Sequence, residues 1–127
     1  MAKFGTVEVY EEMAKALDND PEWAETGKGI TYKMTFTYKE PINKVFFVNF
    51  DEGKITEVRE AGPDDRSVDF DLAAAPDTWR SLLEGKTNPM MAITRGKLKV
   101  DGNLAALMKH MKAFTKVLDA MSGVELV

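Results

Sequence analysis

The chain has no cysteine. That excludes thiol nucleophiles, thiolate metal sites and disulfides, and it fits a reducing compartment. There is one histidine, His110, so acid–base or metal chemistry built on imidazole has a single candidate. No stretch approaches the roughly 18 apolar residues of a membrane span, and residues 1–6 lack the apolar core of a secretory signal. Neither sign of charge dominates: 17 Lys and Arg stand against 21 Asp and Glu, a net of −4. That balance argues against nucleic acid, whose phosphates call for a basic patch, and against a strongly anionic membrane surface. Internal repeats and low-complexity linkers are also missing. What is present suits one domain over residues 1–127. Apolar residues make up 44% and charged residues 30%, an ordinary globular balance.

Periodicity divides the chain into elements. Val7, Tyr10, Met13, Ala14 and Leu17 recur on one helical face, with Thr6 as the expected cap and early acids suiting the helix dipole. Residues 18–21 end that helix, and residues 21–29 read as a loop or short helix carrying Trp23. Residues 30–39 alternate strictly: Ile30, Tyr32, Met34, Phe36 and Tyr38 on one face, Thr and Lys on the other. This strand is expected at the sheet centre, with Tyr32, Met34 and Phe36 under the helices. A second strand, 44–51, puts Phe46, Val48 and Phe50 on one face but Val45 and Phe47 on the other. Glu52 and Gly53 make a hairpin turn. In the third strand, 54–60, Ile55 and Val58 are three apart, so strict alternation fails, as at a bulge or a ragged end. Residues 62–65 form a loop, and 67–74 a fourth strand with Val68, Phe70 and Leu72 facing in. Pro76 opens a helix with Trp79, Leu82 and Leu83 as its stripe and Gly85 at its end. A short helix spans 88–94, a short strand 97–101, and a long helix 103–121 presents Leu104, Leu107, Met108, Met111, Phe114 and Leu118. Hairpin-linked strands with helices segregated around them give an α+β fold.

Little of this resembles a catalytic site. His110 lies at the edge of the last helix's apolar stripe and finds no nucleophile or acid at local spacing, so it reads as a half-exposed structural residue. Asp64, Asp65, Asp69 and Asp71 cluster, but acids on a strand's polar face are solvated, and paired carboxylate catalysis needs pKa values driven apart. Gly27-Lys28-Gly29 is too short for a phosphate loop. Methionine is the unusual residue: of eight, Met90, Met91, Met108, Met111 and Met121 lie in the last third. Met fills irregular cores, and it also adapts to ligands of variable shape.

From Trp79 onward, Gly85, Asn88, Pro89, Ala92, Gly96, Lys97, Leu98, Lys99, Val100, Gly102 and Asn103 fall in an order that resembles the sterol carrier protein type 2 family. Phe50-Asp51-Glu52-Gly53-Lys54-Ile55 is similar to that family's second hairpin, and the likeness runs over residues 30–121. The resemblance implies a five-stranded mixed sheet, order 3-2-1-4-5, with helices over one face and an apolar tunnel between them. It implies non-catalytic binding and carriage of fatty acid, fatty acyl-CoA, sterol or phospholipid tails, with no cofactor, no nucleic acid and transient membrane contact. With the walls that the family uses, the inward faces of these elements give an expected lining of Phe36, Phe70, Trp79, Leu83, Met90, Met91, Met108, Met111, Phe114 and Leu118. Peroxisomal members of the family end in Ser-Lys-Leu or similar; this chain shows Glu125-Leu126-Val127, so a cytoplasmic protein is expected. The chain is expected as a monomer or homodimer. The alternative is a structural or dimerisation module of the same fold with no ligand, using Val45 and Phe47 as a partner surface.

Overall fold

The alternating segment at residues 30–39 folds as strand β1 (Lys33–Tyr38) at the middle of a five-stranded sheet. The computed structural model describes residues 2–62 and 67–127. Its elements run α1 (Glu8–Asp18), α2 (Pro21–Thr26), β1, β2 (Lys44–Asp51), β3 (Lys54–Glu60), β4 (Phe70–Ala74), α3 (Pro76–Leu83), α4 (Pro89–Thr94), β5 (Lys99–Gly102), α5 (Leu104–Lys109) and α6 (Met111–Ser122). Strand order is 3-2-1-4-5, as expected. β1 is antiparallel to β2 and parallel to β4, and the other pairs are antiparallel. The expected loop at 62–65, with Asp64 and Asp65 of the acidic cluster, lies in part outside the described residues.

Period-two patterning decides which face the helices cover. Met34, Phe36 and Tyr38 of β1, Phe46, Val48 and Phe50 of β2, and Phe70 and Leu72 of β4 are buried together. Tyr10 of α1 packs 4.7 Å from the Phe36 ring and 5.2 Å from Phe46, and its hydroxyl donates to Tyr38 at 3.0 Å. Burial pushes the Tyr38 phenol up to about 12 and raises Tyr10 as well, so both stay neutral donors and acceptors in the core. Trp23 reaches from α2 to the β2–β3 hairpin, where its indole N–H donates to the Gly53 carbonyl at 2.8 Å. The ragged third strand is a register shift between Asn49 and Phe50, which lets Ile55 and Val58 oppose Phe50 and Val48.

The structure departs from the sequence reading in several places. Tyr32 precedes β1 and is only half-buried, whereas Thr35, on the opposite face, is buried. The Thr35 and Thr37 hydroxyls both donate to Asp71 Oδ1, at 2.8 and 2.7 Å, so this polar pair satisfies itself across the parallel β1–β4 register instead of facing water. Thr6 does not cap α1: its hydroxyl donates to the Lys3 carbonyl, and no side chain caps that helix. Phe47 leaves no exposed patch. It is 5% exposed, with the Arg59 guanidinium 4.4 Å above its ring, because Arg59 is its cross-strand neighbour. Of the two residues proposed for a partner surface, Phe47 is thus covered by this chain's own arginine, and Val45 is half-buried.

The long C-terminal helix is two helices. His110 sits between α5 and α6 with φ −113° and ψ 28°, outside helical geometry. The break turns the continuous stripe into two faces that point differently. α6 buries Ala113, Phe114, Val117, Leu118 and Met121, while α5 buries none of its residues fully.

One tie across the helical layer yields a pH prediction. Lys116 of α6 reaches Asp20, the cap of α2, at 2.8 Å and Glu22 at 2.9 Å. The hydrogen bond from Lys116 holds the Asp20 carboxyl below its ordinary value. A depressed carboxyl contributes stability above its unfolded-state value and loses it as pH falls through the folded one. Followed by NMR, Asp20 should titrate below the ordinary ~3.9 and move up toward it in Lys116→Met. An Asp20 midpoint that ignores the substitution would mean the pair is not formed in solution.

Candidate functional site

A cleft of about 570 Å³ follows the free edge of β5. Its apolar wall is Ile93 of α4, Leu98 and Val100 around the start of β5, and Leu104 and Leu107 of α5. Its polar wall is Lys39, Asp71, Lys99 and Asp101. The two walls differ because the edge strand exposes both its faces: Leu98 and Val100 turn toward the helices, Lys99 and Asp101 away from them. Volume and lining match the usual ligand pocket of about 300–1,000 Å³ with a few polar groups among apolar ones.

Local chemistry places these elements. Asn88 caps α4 by accepting from the Met90 and Met91 amides at 2.9 and 3.3 Å. Gly96 turns the chain at φ 75°, after which the Lys97 and Leu98 amides both donate to the Ala92 carbonyl, and Leu98 is buried. Gly102 has φ 144° and lies against the Asp69 carbonyl and the Phe70 ring, so β5 passes into α5 at a point with no room for a Cβ. The Asn103 side chain then caps α5 through the Ala106 amide.

The ten residues expected to line a tunnel fall into three groups. Phe36, Phe70, Trp79, Leu83, Phe114 and Leu118 are buried and pack on one another, with Phe70 and Phe114 at 4.8 Å and Phe36 and Trp79 at 6.1 Å. Met111 is half-buried at the start of α6. Met90, Met91 and Met108 are 37%, 45% and 69% exposed. Met108 faces outward because the break at His110 separates α5's stripe from that of α6. None of the ten lines the β5 cleft. The residues that do were missed because Leu98 and Val100 read as one buried face of a short strand, and Leu104 and Leu107 as part of a continuous buried helix.

Chemistry at the titratable groups is sparse. His110 is half-exposed, its ring edge-on to Tyr32 at 5.8 Å. Asp69 accepts the Lys33 amide at 2.8 Å, and Asp71 accepts two threonine hydroxyls, so both serve the β1–β4 junction. Among the described residues, no three His, Asp or Glu side chains are grouped to hold a metal ion, and no helix is long and apolar enough to cross a membrane.

The family model described as the SCP-2 sterol transfer family matches residues 12–115, most of the chain. This chain belongs to that family. Sterol carrier protein 2 from Arabidopsis thaliana is 28% identical over 93 residues, covering 67% of this chain and 73% of that protein. A crystal structure of sterol carrier protein 2 superposes with a TM-score of 0.83 at 18% identity, covering 97% of this chain and all of that one. A solution structure of palmitated SCP2L2 from Aedes aegypti superposes with a TM-score of 0.61 at 14% identity, covering 88% of this chain and 91% of that one. Within the Gly-Lys-Leu-Lys-Val block, Gly96, Leu98, Lys99 and Val100 line the cleft, and Gly102 follows two residues after the block.

Proposed function

We propose that this protein carries a single apolar tail, of a fatty acid or another lipid, without chemically altering it. The observation that carries the reading is the β5 cleft, whose apolar wall of Ile93, Leu98, Val100, Leu104 and Leu107 opens beside Lys39 and Lys99. The apolar wall suits a chain, and the polar wall, with Lys39 and Lys99 beside Asp71 and Asp101, suits a polar headgroup. Family membership supports lipid binding and transfer, and the palmitated relative shows that a protein of this fold accepts an acyl chain. Each methylene buried contributes roughly 0.8 kcal/mol, so about a dozen supply on the order of 10 kcal/mol before ordering costs. No nucleophile is required for that.

In this reading the tail enters along α5 and extends past Met111 toward the core of Phe36, Phe70, Trp79, Leu83, Phe114 and Leu118, which must part to admit it. Met90, Met91 and Met108 stand at the mouth, where flexible thioethers tolerate tails of different shape. The carrier works in the cytoplasm and needs no cofactor.

Two variants test the path. Leu107→Trp fills the cleft and Met111→Trp fills the inner end, each at a half-buried position where overpacking costs no more than about 1–3 kcal/mol. With a fluorescent fatty acid as probe, each should weaken binding by about tenfold or more, equivalent to losing roughly two buried methylenes. Wild-type affinity in a folded Leu107→Trp protein moves the tail off the cleft; wild-type affinity in both variants ends the carrier reading. Native mass spectrometry should also find lipid on the purified wild-type chain.

A further inference from the structure

The exposed apolar residues are not scattered. Large exposed hydrophobic side chains among the described residues are Met90, Met91, Leu104, Met108 and Val127, and four of these five lie on α4 and α5, the two helices that border the cleft. Leu104 and Met108 are one turn apart on the same side of α5. Both are more than 60% exposed, at 63% and 69%. Single exposed hydrophobes are ordinary; several together at the mouth of a pocket mark a contact surface.

The charge around them differs from that of the rest of the chain. Residues 86–112 hold six Lys and Arg and one acid, Asp101, a net of +5 in a chain whose net charge is −4. Arg95, Lys97 and Lys109 are all exposed, while Lys86 is paired with Glu84 at 3.3 Å and Lys99 lies on the strand side turned away from the helices. Glu8, Glu11 and Asp18 of α1 are exposed as well, so that helix presents acid to solvent. The weakly acidic net charge therefore hides a segregated surface, and this face carries the charge that an anionic membrane attracts.

We infer that the α4–β5–α5 face is the membrane-docking surface of this protein and that its partner is the anionic phospholipid surface of a bilayer. The lysines and arginines meet the headgroups, and Met90, Met91, Leu104 and Met108 enter the boundary between headgroups and acyl chains. The cleft then opens against the lipid itself, and a tail passes between bilayer and protein with little exposure to water. A protein partner would have to match both a flexible thioether-rich surface and a basic rim; an anionic bilayer matches both with no fixed shape.

Flotation with vesicles tests the inference on protein without cargo. The full chain should bind phosphatidylcholine vesicles containing about 30% phosphatidylglycerol, bind pure phosphatidylcholine far less, and release as salt rises from about 0.05 to 0.5 M. Each basic residue at such a surface strengthens binding by about fivefold, so Arg95→Glu with Lys109→Glu should weaken it by about tenfold or more. Met90→Glu with Met108→Glu should do the same, and Lys15→Glu with Lys28→Glu, away from this face, should not. All six positions are surface residues, and circular dichroism checks that each variant is folded. The inference is overturned if the wild type ignores anionic vesicles, if either α4–α5 variant binds as the wild type does, or if the control pair loses as much. It is equally overturned if sedimentation shows a wild-type dimer that Met90→Glu with Met108→Glu dissociates, since the face would then belong to a second copy. Because docking is read without cargo, a failure to take up fluorescent fatty acid counts against the carrier reading alone.

Discussion

Trp79→Ala is expected to lower the unfolding free energy by about 3–5 kcal/mol, the usual cost of removing a large aromatic from a core. Trp79 is fully buried on α3. Its indole N–H donates to the Thr37 carbonyl at 2.9 Å, and its ring stacks on Tyr38 with centroids 5.1 Å apart and planes 15° from parallel. Truncation removes that stacking, opens a cavity beside Phe36 and deletes a donor to the central strand. Small domains are stable by only about 5–15 kcal/mol, so the variant should unfold at a much lower urea midpoint. Trp79→Phe, which keeps a ring but loses the N–H, should fall between. A Trp79→Ala midpoint within experimental error of wild type would show that α3 is not the keystone of this layer.

Gly102→Ala should destabilise by about 2–4 kcal/mol, combining strain at a left-handed backbone with a steric clash. A Cβ at this position would meet the Asp69 carbonyl oxygen and would lie 2.7 Å from the Phe70 ring. β4 and β5 pair directly there, Phe70 opposite Gly102, so relief requires β5 to move and the cleft to deform. Binding of a fluorescent fatty acid should fall together with stability. Gly96→Ala provides the contrast. Its backbone is also left-handed, at φ 75°, but nothing lies within 4 Å of the added carbon. That change should cost only about 1–2 kcal/mol. Equal losses at the two glycines, measured by urea unfolding, would mean that close approach to Phe70 plays no part.

Much of the fold is written in local pattern. Strict alternation at residues 30–39 placed Met34 and Phe36 under the helices, and the three-residue gap between Ile55 and Val58 marked the bulge opposite Asn49 and Phe50. Asn88 and Pro89 marked the start of α4, and the stripe of Trp79, Leu82 and Leu83 marked the buried face of α3. The strand order was not in the periodicity; it came from likeness to a family, and the family match and the superposed structures agree with it.

The candidate site was less legible for reasons that residues 103–121 make plain. Leu104, Leu107, Met108, Met111, Phe114 and Leu118 keep helical spacing straight through His110, so nothing in the pattern announces a break. At the break the His110 ring lies edge-on to Tyr32, a residue distant in the chain. Once α5 turns, Leu104 and Met108 face water while Phe114 and Leu118 stay buried. The same limit applied to Phe47, which looked like an unpaired apolar residue until the cross-strand partner above it proved to be Arg59.

What the sequence determined by itself, then, was most of the elements, the helix-covered residues Met34, Phe36, Phe46, Val48, Phe50, Phe70 and Leu72 of the strands, the lack of thiol chemistry and, through its Gly-Lys block, the family. Those properties depend on residues a few positions apart, where spacing fixes direction. Tertiary structure alone decided where space is left open and which methionines meet solvent. A cleft is the volume that packing leaves unfilled, and a surface patch is the sum of residues brought together from separate helices. Both depend on distances between elements, which no local period encodes.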